Sequence, residues 1–306
     1  MNQVFHSVYE LIGNTPLLEL KAFSTNNVTI YAKLEYMNPG GSVKDRLGTY
    51  LIESSLANGI ITKETTLIEA TAGNTGIGLA LVAQKYGMKL IVCVPEKFSI
   101  EKQILMKSLG AQLVVTPSLD GMDGAIKKAE ELVKTIPNSH FFNQFENFDN
   151  PKTYYYTLGP ELYNQLHGEI DVFVAGAGSG GTFTGTSQYL KSQHKDIRTV
   201  IVEPVGSILN GGKIQDHEIE GIGMNKITPF MDENLFDQIY TVSDHDAFYY
   251  VRQLALKSGI FVGSSSGAAL AAAVKEAEIR QSGNIIVIFP DSAERYLSKD
   301  IFKGDF

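Results

Sequence analysis

The sequence predicts an α/β fold of two three-layer domains, each a mostly parallel sheet with helices on both faces. Three observations predict it. Apolar runs rich in Val, Ile and Leu alternate along the chain with segments of helical period, which end at or near Gly or Pro. The apolar runs do not alternate with polar residues, which is the pattern of strands covered on both sides. A length of 306 residues, 43% hydrophobic and 20% charged, suits two globular domains of about 150 residues.

The first half reads strand TTLIEA (65–70), helix GIGLALVAQKYG (76–87), strand MKLIVCVP (88–95), helix SIEKQILMKSLG (99–110), strand AQLVVTP (111–117) and helix GMDGAIKKAEELVKTI (121–136). The second half continues with strand EIDVFVAG (169–176), helix GTFTGTSQYLKS (181–192), strands RTVIVEP (198–204) and QIYTVS (238–243), helix DHDAFYYVRQLALKSG (244–259) and strand NIIVIFP (284–290). An alanine-rich patch at 268–273 reads as a helix rather than a linker. Motif placement puts a smaller domain at 39–145, and a larger one at 1–38 plus 146–306.

Composition excludes several classes. A net charge of −8 with no basic block argues against nucleic acid as a partner. The longest uncharged stretch, 172–190, is broken repeatedly by glycine and cannot serve as an apolar membrane span. The opening MNQVFHSVYE has no basic region followed by an apolar core, so no signal peptide is expected and the cytoplasm is the expected location. The one cysteine, Cys93, reads as a buried strand residue in LIVCVP, and the six histidines lack close pairing, so no metal site is expected.

Four loops carry residue types suited to chemistry. In NPGGSVKDR (38–46), Ser42 and Asp45 have the spacing of a capping box, and Val43, Leu47, Leu51 and Ser55 share one helix face. That puts Lys44 in a first helical turn, where the macrodipole disfavours its charge and lowers its pKa, as a Schiff-base lysine requires. Alone, a solvated lysine on an exposed turn is the better reading of it. TAGNTG (71–76), between a strand and a helix, offers backbone N–H groups to a carboxylate or phosphate.

GAGSGGT (176–182) satisfies GxGxxG, with Glu203 at the distance of a ribose-binding acid, so a nicotinamide-dependent oxidoreductase competes with any other phosphorylated cofactor. GSSSG (263–267) matches a nucleophile elbow, but the last histidine, His245, precedes Ser265, which rules out the hydrolase order.

Together, in this order, the four loops resemble the fold-type II pyridoxal-phosphate enzymes, tryptophan synthase β-like in fold. Within them the chain looks like the cysteine synthase and cystathionine β-synthase family. The resemblance extends through IGNTPL (12–17), PEK (95–97), NQF (143–145), EGIG (220–223) and FPDSAERY (289–296). It implies that Lys44 is the catalytic lysine joined to pyridoxal 5′-phosphate. By the same resemblance Asn74 bonds the cofactor's 3-hydroxyl, while Gly178, Ser179, Gly180, Gly181 and Thr182 hold its phosphate. Ser265 then meets the pyridine nitrogen, and Thr71, Ala72, Gly73, Thr75 and Gln144, with Gly221 and Gly223, bind the amino-acid substrate.

It further implies a homodimer carrying out β-replacement on O-acetylserine, or serine, through an aminoacrylate. Two departures bear on the thiol: Ala72 stands where cysteine synthases usually have serine, and MNKITP (224–229) follows the EGIG motif. Both resemble short bacterial cystathionine β-synthases, so homocysteine is the expected thiol and sulfide the alternative. A catalytically silent relative acting as a binding partner finds no support, because Lys44 is present.

Overall fold

The computed structural model describes residues 4–71, 73–97, 99–299 and 301–302. In chain order the elements of the first half are β1 (Leu17–Glu19), β2 (Val28–Leu34), α1 (Lys44–Ala57), β3 (Thr66–Ala70), α2 (Asn74–Tyr86), β4 (Leu90–Pro95), α3 (Ile100–Ser108), β5 (Gln112–Thr116), α4 (Gly121–Thr135) and β6 (Ser139–Phe141). There follow α5 (Asp149–Tyr156), α6 (Leu158–Gln165), β7 (Val172–Gly176), α7 (Gly181–Gln193), β8 (Arg198–Pro204), β9 (Gln238–Val242), α8 (Asp244–Ser258), α9 (Ser264–Ile279) and β10 (Gly283–Phe289). Every strand and helix expected from an apolar run is present. The elements without such a signal are short: β1 and β6 have three residues each and no apolar block. No helix among the described residues is long and apolar enough to cross a membrane.

The chain divides into two units, the first made of residues up to Ile12 with Asn38–Asp149, the second of Gly13–Met37 with Asn150 onward. The expected division put the segment before Gly13 with the larger domain; residues 4–12 belong to the first unit. There Tyr9 donates its hydroxyl to Gln84, and the Lys85 ammonium lies 5.4 Å from the centre of the Tyr9 ring.

The first unit has a four-stranded parallel sheet in the order β5-β4-β3-β6. Ile68, Ala70, Ile91 and Cys93 meet Ala125 and Ala129 of α4 on one face. Each such aliphatic side chain removed from water contributes about 1.5–3 kcal/mol. Cys93 is wholly buried, and desolvation raises its thiol to about 11, so the strand reading of this residue holds. Order along the sheet matters more than burial for function. The chain runs outward from β3 through β4 to β5, then returns to place β6 on the other side of β3. The loops after β3 and β6 therefore leave the carboxyl ends of adjacent strands at a topological switch point, where parallel sheets bind ligands.

The second unit repeats this logic in a six-stranded sheet, β1-β2-β10-β7-β8-β9, in which only β1 is antiparallel. Its switch point lies at β7, between β10 and β8. The alanines of α9 are buried against the sheet, and a Cβ at Gly267 would fall 2.1 Å from the Ala247 carbonyl oxygen of α8. At β2 the fully buried Lys33 ammonium donates to Thr15 O (2.6 Å), Gln165 Oε1 (2.8 Å) and Glu161, which uses all its protons. The IGNTPL motif is thus fastened by a buried ion pair.

Within the first unit, α1 and α2 touch backbone to backbone. A Cβ at Gly78 would lie 2.3 Å from the Lys44 carbonyl oxygen, and one at Gly48 would lie 2.4 Å from the Gly78 carbonyl. Glycine is required here for space rather than for dihedral freedom. Gly78→Ala should therefore lower stability by about 1–3 kcal/mol through overpacking, outweighing the roughly 1 kcal/mol that alanine gains over glycine in a helix; urea unfolding gives the sign.

Candidate active site

Each unit carries its own share of the sequence-predicted residues. In the first, Lys44 is the first residue of α1, following Val43 at the N-cap. The capping box does not form as expected. Ser42 Oγ accepts from the Lys44 amide at 3.2 Å, and the Asp45 carboxylate turns back to the Gly40 amide, so the acid closes the preceding glycine turn instead of returning to Ser42. Val43, Leu47, Leu51 and Ser55 form a buried face as predicted. The Lys44 amine is depressed from 10.5 to about 8, in the expected direction. Its cause is desolvation by burial.

The loop after β3 begins at buried Thr71, whose Oγ1 accepts from Gly73 N at 3.2 Å. Gly73 is the N-cap of α2 and gives it no side-chain cap, the Gly76 amide bonds the Gly73 carbonyl at 3.1 Å, and Asn74 is the first helical residue. Thr75 Oγ1 donates to Gln144 Oε1 at 2.8 Å, so the structure brings together two predicted residues that are 69 positions apart. Ala72 lies outside the described residues.

Two neighbours of this loop were not foreseen. Lys102 of α3 is buried, with its ammonium nitrogen 3.7 Å from where a Cβ of Gly73 would stand. Glu69, at the end of β3, is fully buried and its carboxyl is pushed up to about 8 by desolvation. An acid inside the apolar run TTLIEA was the available signal for Glu69; Lys102 had none.

In the second unit, α7 starts from Gly180, whose φ of +87° is a left-handed conformation suited to glycine. A Cβ at Gly178 would meet the Gly221 carbonyl at 2.4 Å, and one at Gly181 would meet Asn150 Oδ1 at 1.9 Å. Asn150 Nδ2 donates to Ser179 Oγ at 3.0 Å, and Thr228 Oγ1 to the Ser179 carbonyl at 3.1 Å. The turn is held from two sides, with bare backbone N–H groups at the start of a 13-residue helix.

Ser265 is the second residue of α9, within its first turn rather than ahead of it, and no described residue hydrogen-bonds its hydroxyl. Gly221, at φ +87°, passes beside it, and Gly223, at φ +107°, donates to the Ala177 carbonyl at 2.9 Å. Glu203 is not available to a ribose. Its buried carboxylate accepts from Leu209 N (2.8 Å), Asn210 N (3.0 Å) and Thr241 Oγ1 (3.1 Å).

Comparison with known proteins places the chain in a family. A family model described as pyridoxal-phosphate dependent enzyme matches residues 8–291. The chain belongs to this pyridoxal-phosphate dependent enzyme family. It is 57% identical over 303 residues to an O-acetylserine dependent cystathionine beta-synthase of Bacillus subtilis, covering 98% of this chain and 99% of that one. It is 52% identical over 307 residues to a cysteine synthase of Helicobacter pylori, covering 98% and 99%. The crystal structure of an O-acetylserine dependent cystathionine beta-synthase from Helicobacter pylori superimposes with a TM-score of 0.95 at 52% identity, over 98% of this chain and 100% of that one.

The nicotinamide alternative is thereby set aside, and the fold class stands as expected. The residues present fit the family's cofactor. Collisions awaiting a side chain at Gly178 and Gly181 mark a backbone cradle of phosphate type, Ser265 is a buried serine whose hydroxyl has no hydrogen bond among the described residues, and Lys44 is an amine of lowered basicity.

Because the fold disfavours the charged form, Lys44 costs stability at pH values below about 8, and that cost fades as the pH rises through 8 to 10.5. The same shift governs reactivity. Capture of pyridoxal phosphate by cofactor-free protein, trapped with borohydride, should rise with pH and level off with a midpoint near 8; a midpoint near 10.5 would mean that burial does not reach this amine.

Proposed function

We propose that this chain catalyses β-replacement on O-acetylserine with homocysteine as the thiol, releasing acetate and forming cystathionine. The observation that carries this reading is the 57% identity, over nearly the full length of both chains, to a protein named for that reaction. Residues 178–182 hold the phosphate of pyridoxal phosphate, Asn74 bonds its 3-hydroxyl, and Ser265 its pyridine nitrogen. Lys44 is the lysine that bonds its aldehyde carbon. When bound, pyridoxal phosphate supplies an electron sink for the α carbon of the amino acid joined to it.

The protein's own groups do the rest. Thr71, Gly73, Thr75 and Gln144, with Ala72, Gly221 and Gly223, bind and orient the amino acid. Lys44 Nζ is displaced by the substrate amine and, free near pH 8, takes the α proton while acetate departs. Ser265 offers a hydroxyl where a carboxylate would hold a proton on the ring nitrogen. The electron sink is shallower as a result, which favours loss of a β leaving group over transamination.

The segment 224–229 supports the choice of thiol in part. Met224 is buried, with its amide donating to Ser207 Oγ at 2.9 Å, and so packs structurally. Asn225, Lys226 and Ile227 are exposed, while Thr228 ties the segment to the carbonyl of Ser179. Ala72 removes one hydroxyl from the substrate loop. A hydrogen bond to a charged group is worth about 1.5–3 kcal/mol, a loss that leaves binding possible and makes room for a longer thiol. Sulfide is the second reading, favoured by the 52% relative named cysteine synthase. The family resemblance supports a cytoplasmic homodimer, which light scattering tests.

Lys44→Ala should lose turnover entirely while retaining the wild-type circular dichroism spectrum, and activity surviving in clean protein would remove the lysine from its role. In competition at equal thiol concentration, kcat/KM should favour homocysteine over sulfide, and Ala72→Ser should shift the ratio towards sulfide. A wild-type preference for sulfide, unmoved by Ala72→Ser, assigns the chain to cysteine synthesis instead.

A further inference from the structure

Two buried carboxylates of the second unit are well matched. Glu203 accepts three hydrogen bonds, and Glu276 accepts two from Arg198 and one from Tyr240. Glu69 differs. Its Oε1 accepts from the Ala70 amide at 3.1 Å and from the Gln144 amide at 3.5 Å, while Oε2 is buried with no hydrogen-bond partner among the described residues. An unmet buried oxygen is a net cost to the fold, and an apolar residue of the same shape would avoid it.

The position of this acid gives the cost a use. Glu69 lies near the end of β3, one residue before the loop that starts at Thr71, and β6 pairs with β3 through Ile68 and Phe141. The hydrogen bond to Gln144 therefore runs from the last turn of one strand to the loop that leaves its neighbour. Gln144 in turn accepts from Thr75 at 2.8 Å. The sequence of contacts is β3, Glu69, Gln144, Thr75, α2, and it closes a ring around the switch point of the first unit.

We propose that Glu69 is a positioning residue for the substrate carboxylate: through the Gln144 amide it sets the loop after β6 against the loop after β3, so that Gln144 and Thr75 keep one arrangement for the amino acid. This rests on the substrate-binding role given above to Thr75 and Gln144. Near neutral pH the acid is uncharged, since its pKa is about 8. A neutral amide of equal length can then replace it, accepting the same bonds through its oxygen.

The test uses the enzyme loaded with pyridoxal phosphate and two variants of similar length, Glu69→Gln and Glu69→Met. Two quantities are read: KM and kcat for O-acetylserine, and the dissociation constant for L-alanine, an amino acid without a β leaving group, from the shift in cofactor absorbance. Glu69→Met should raise KM and the L-alanine constant tenfold or more while kcat stays within threefold. Glu69→Gln should restore both to within threefold of wild type. Unchanged constants in Glu69→Met overturn the proposal, as does a Glu69→Gln variant as impaired as Glu69→Met.

Amide hydrogen exchange of the segment around Gln144 in wild type and Glu69→Gln needs no destabilised protein. Protection in both supports the proposal, and rapid exchange in wild type overturns it. L-alanine binding does not require turnover, so a failure of the β-replacement reading leaves this test standing on its own.

Discussion

The contact between α1 and α2 at Gly48 and Gly78 is the constraint from which the chemistry of the first unit follows. It is made by backbone atoms, so its geometry cannot be adjusted by a change of rotamer. Lys44 begins one of these helices and Asn74 begins the other, and the carbonyl of Lys44 itself lies against Gly78. The distance between the lysine and the loop that precedes α2 is thereby set by two peptide planes in contact. Side chains around them can vary without moving either helix start.

The second unit reaches similar rigidity by another means. Its phosphate-type turn is held by Asn150 and Thr228, on opposite sides of Ser179, and by close passage of residue 221. Such a turn is ordered before any anion arrives, so binding spends little on ordering the loop. The buried Lys33 network and the Glu203 carboxylate do comparable work for the segments at 13–17 and 209–210. In each case charge is buried only where partners fill its hydrogen-bonding capacity. Glu69 departs from that pattern, with one buried oxygen unmet among the described residues.

Much of this was legible in the sequence because both sheets are parallel. Parallel strands bury both faces and write themselves as unbroken apolar runs, and the turns at their carboxyl ends need glycine and hydroxyl residues that stand out between them. The loops at 38–46, 71–76, 176–182 and 263–267 stand out that way, while the roles given to Lys44, Thr75, Gln144, residues 178–182 and Ser265 come from the family resemblance. What stayed hidden depends on partners distant along the chain. Asp45 turning to Gly40 in place of Ser42, Glu203 closing a loop rather than meeting a ribose, and residues 4–12 joining the first unit through Tyr9 and Gln84 are choices among nearby or remote donors of equal chemistry. The depressed Lys44 pKa was expected from the local helix start, and the burial that lowers it is a tertiary property the sequence does not display.

The pairing of β2 with β10 joins residues 28–34 to residues 283–289 through seven matched positions. The whole first unit beyond Ile12 is therefore an insertion between two neighbouring strands of the second. During synthesis the inserted unit has all its strands once residue 141 has emerged, while the other sheet waits for its central strand. Between Asp149 and Phe289 lie roughly 140 residues, about 7 to 28 s of elongation at 5–20 residues per second. For that interval β2 stands translated but unpaired with β10, and an apolar strand edge in that state is what chaperones recognise and what aggregation exploits. Throughout that interval the larger of the two sheets is incomplete while the smaller already has all its strands.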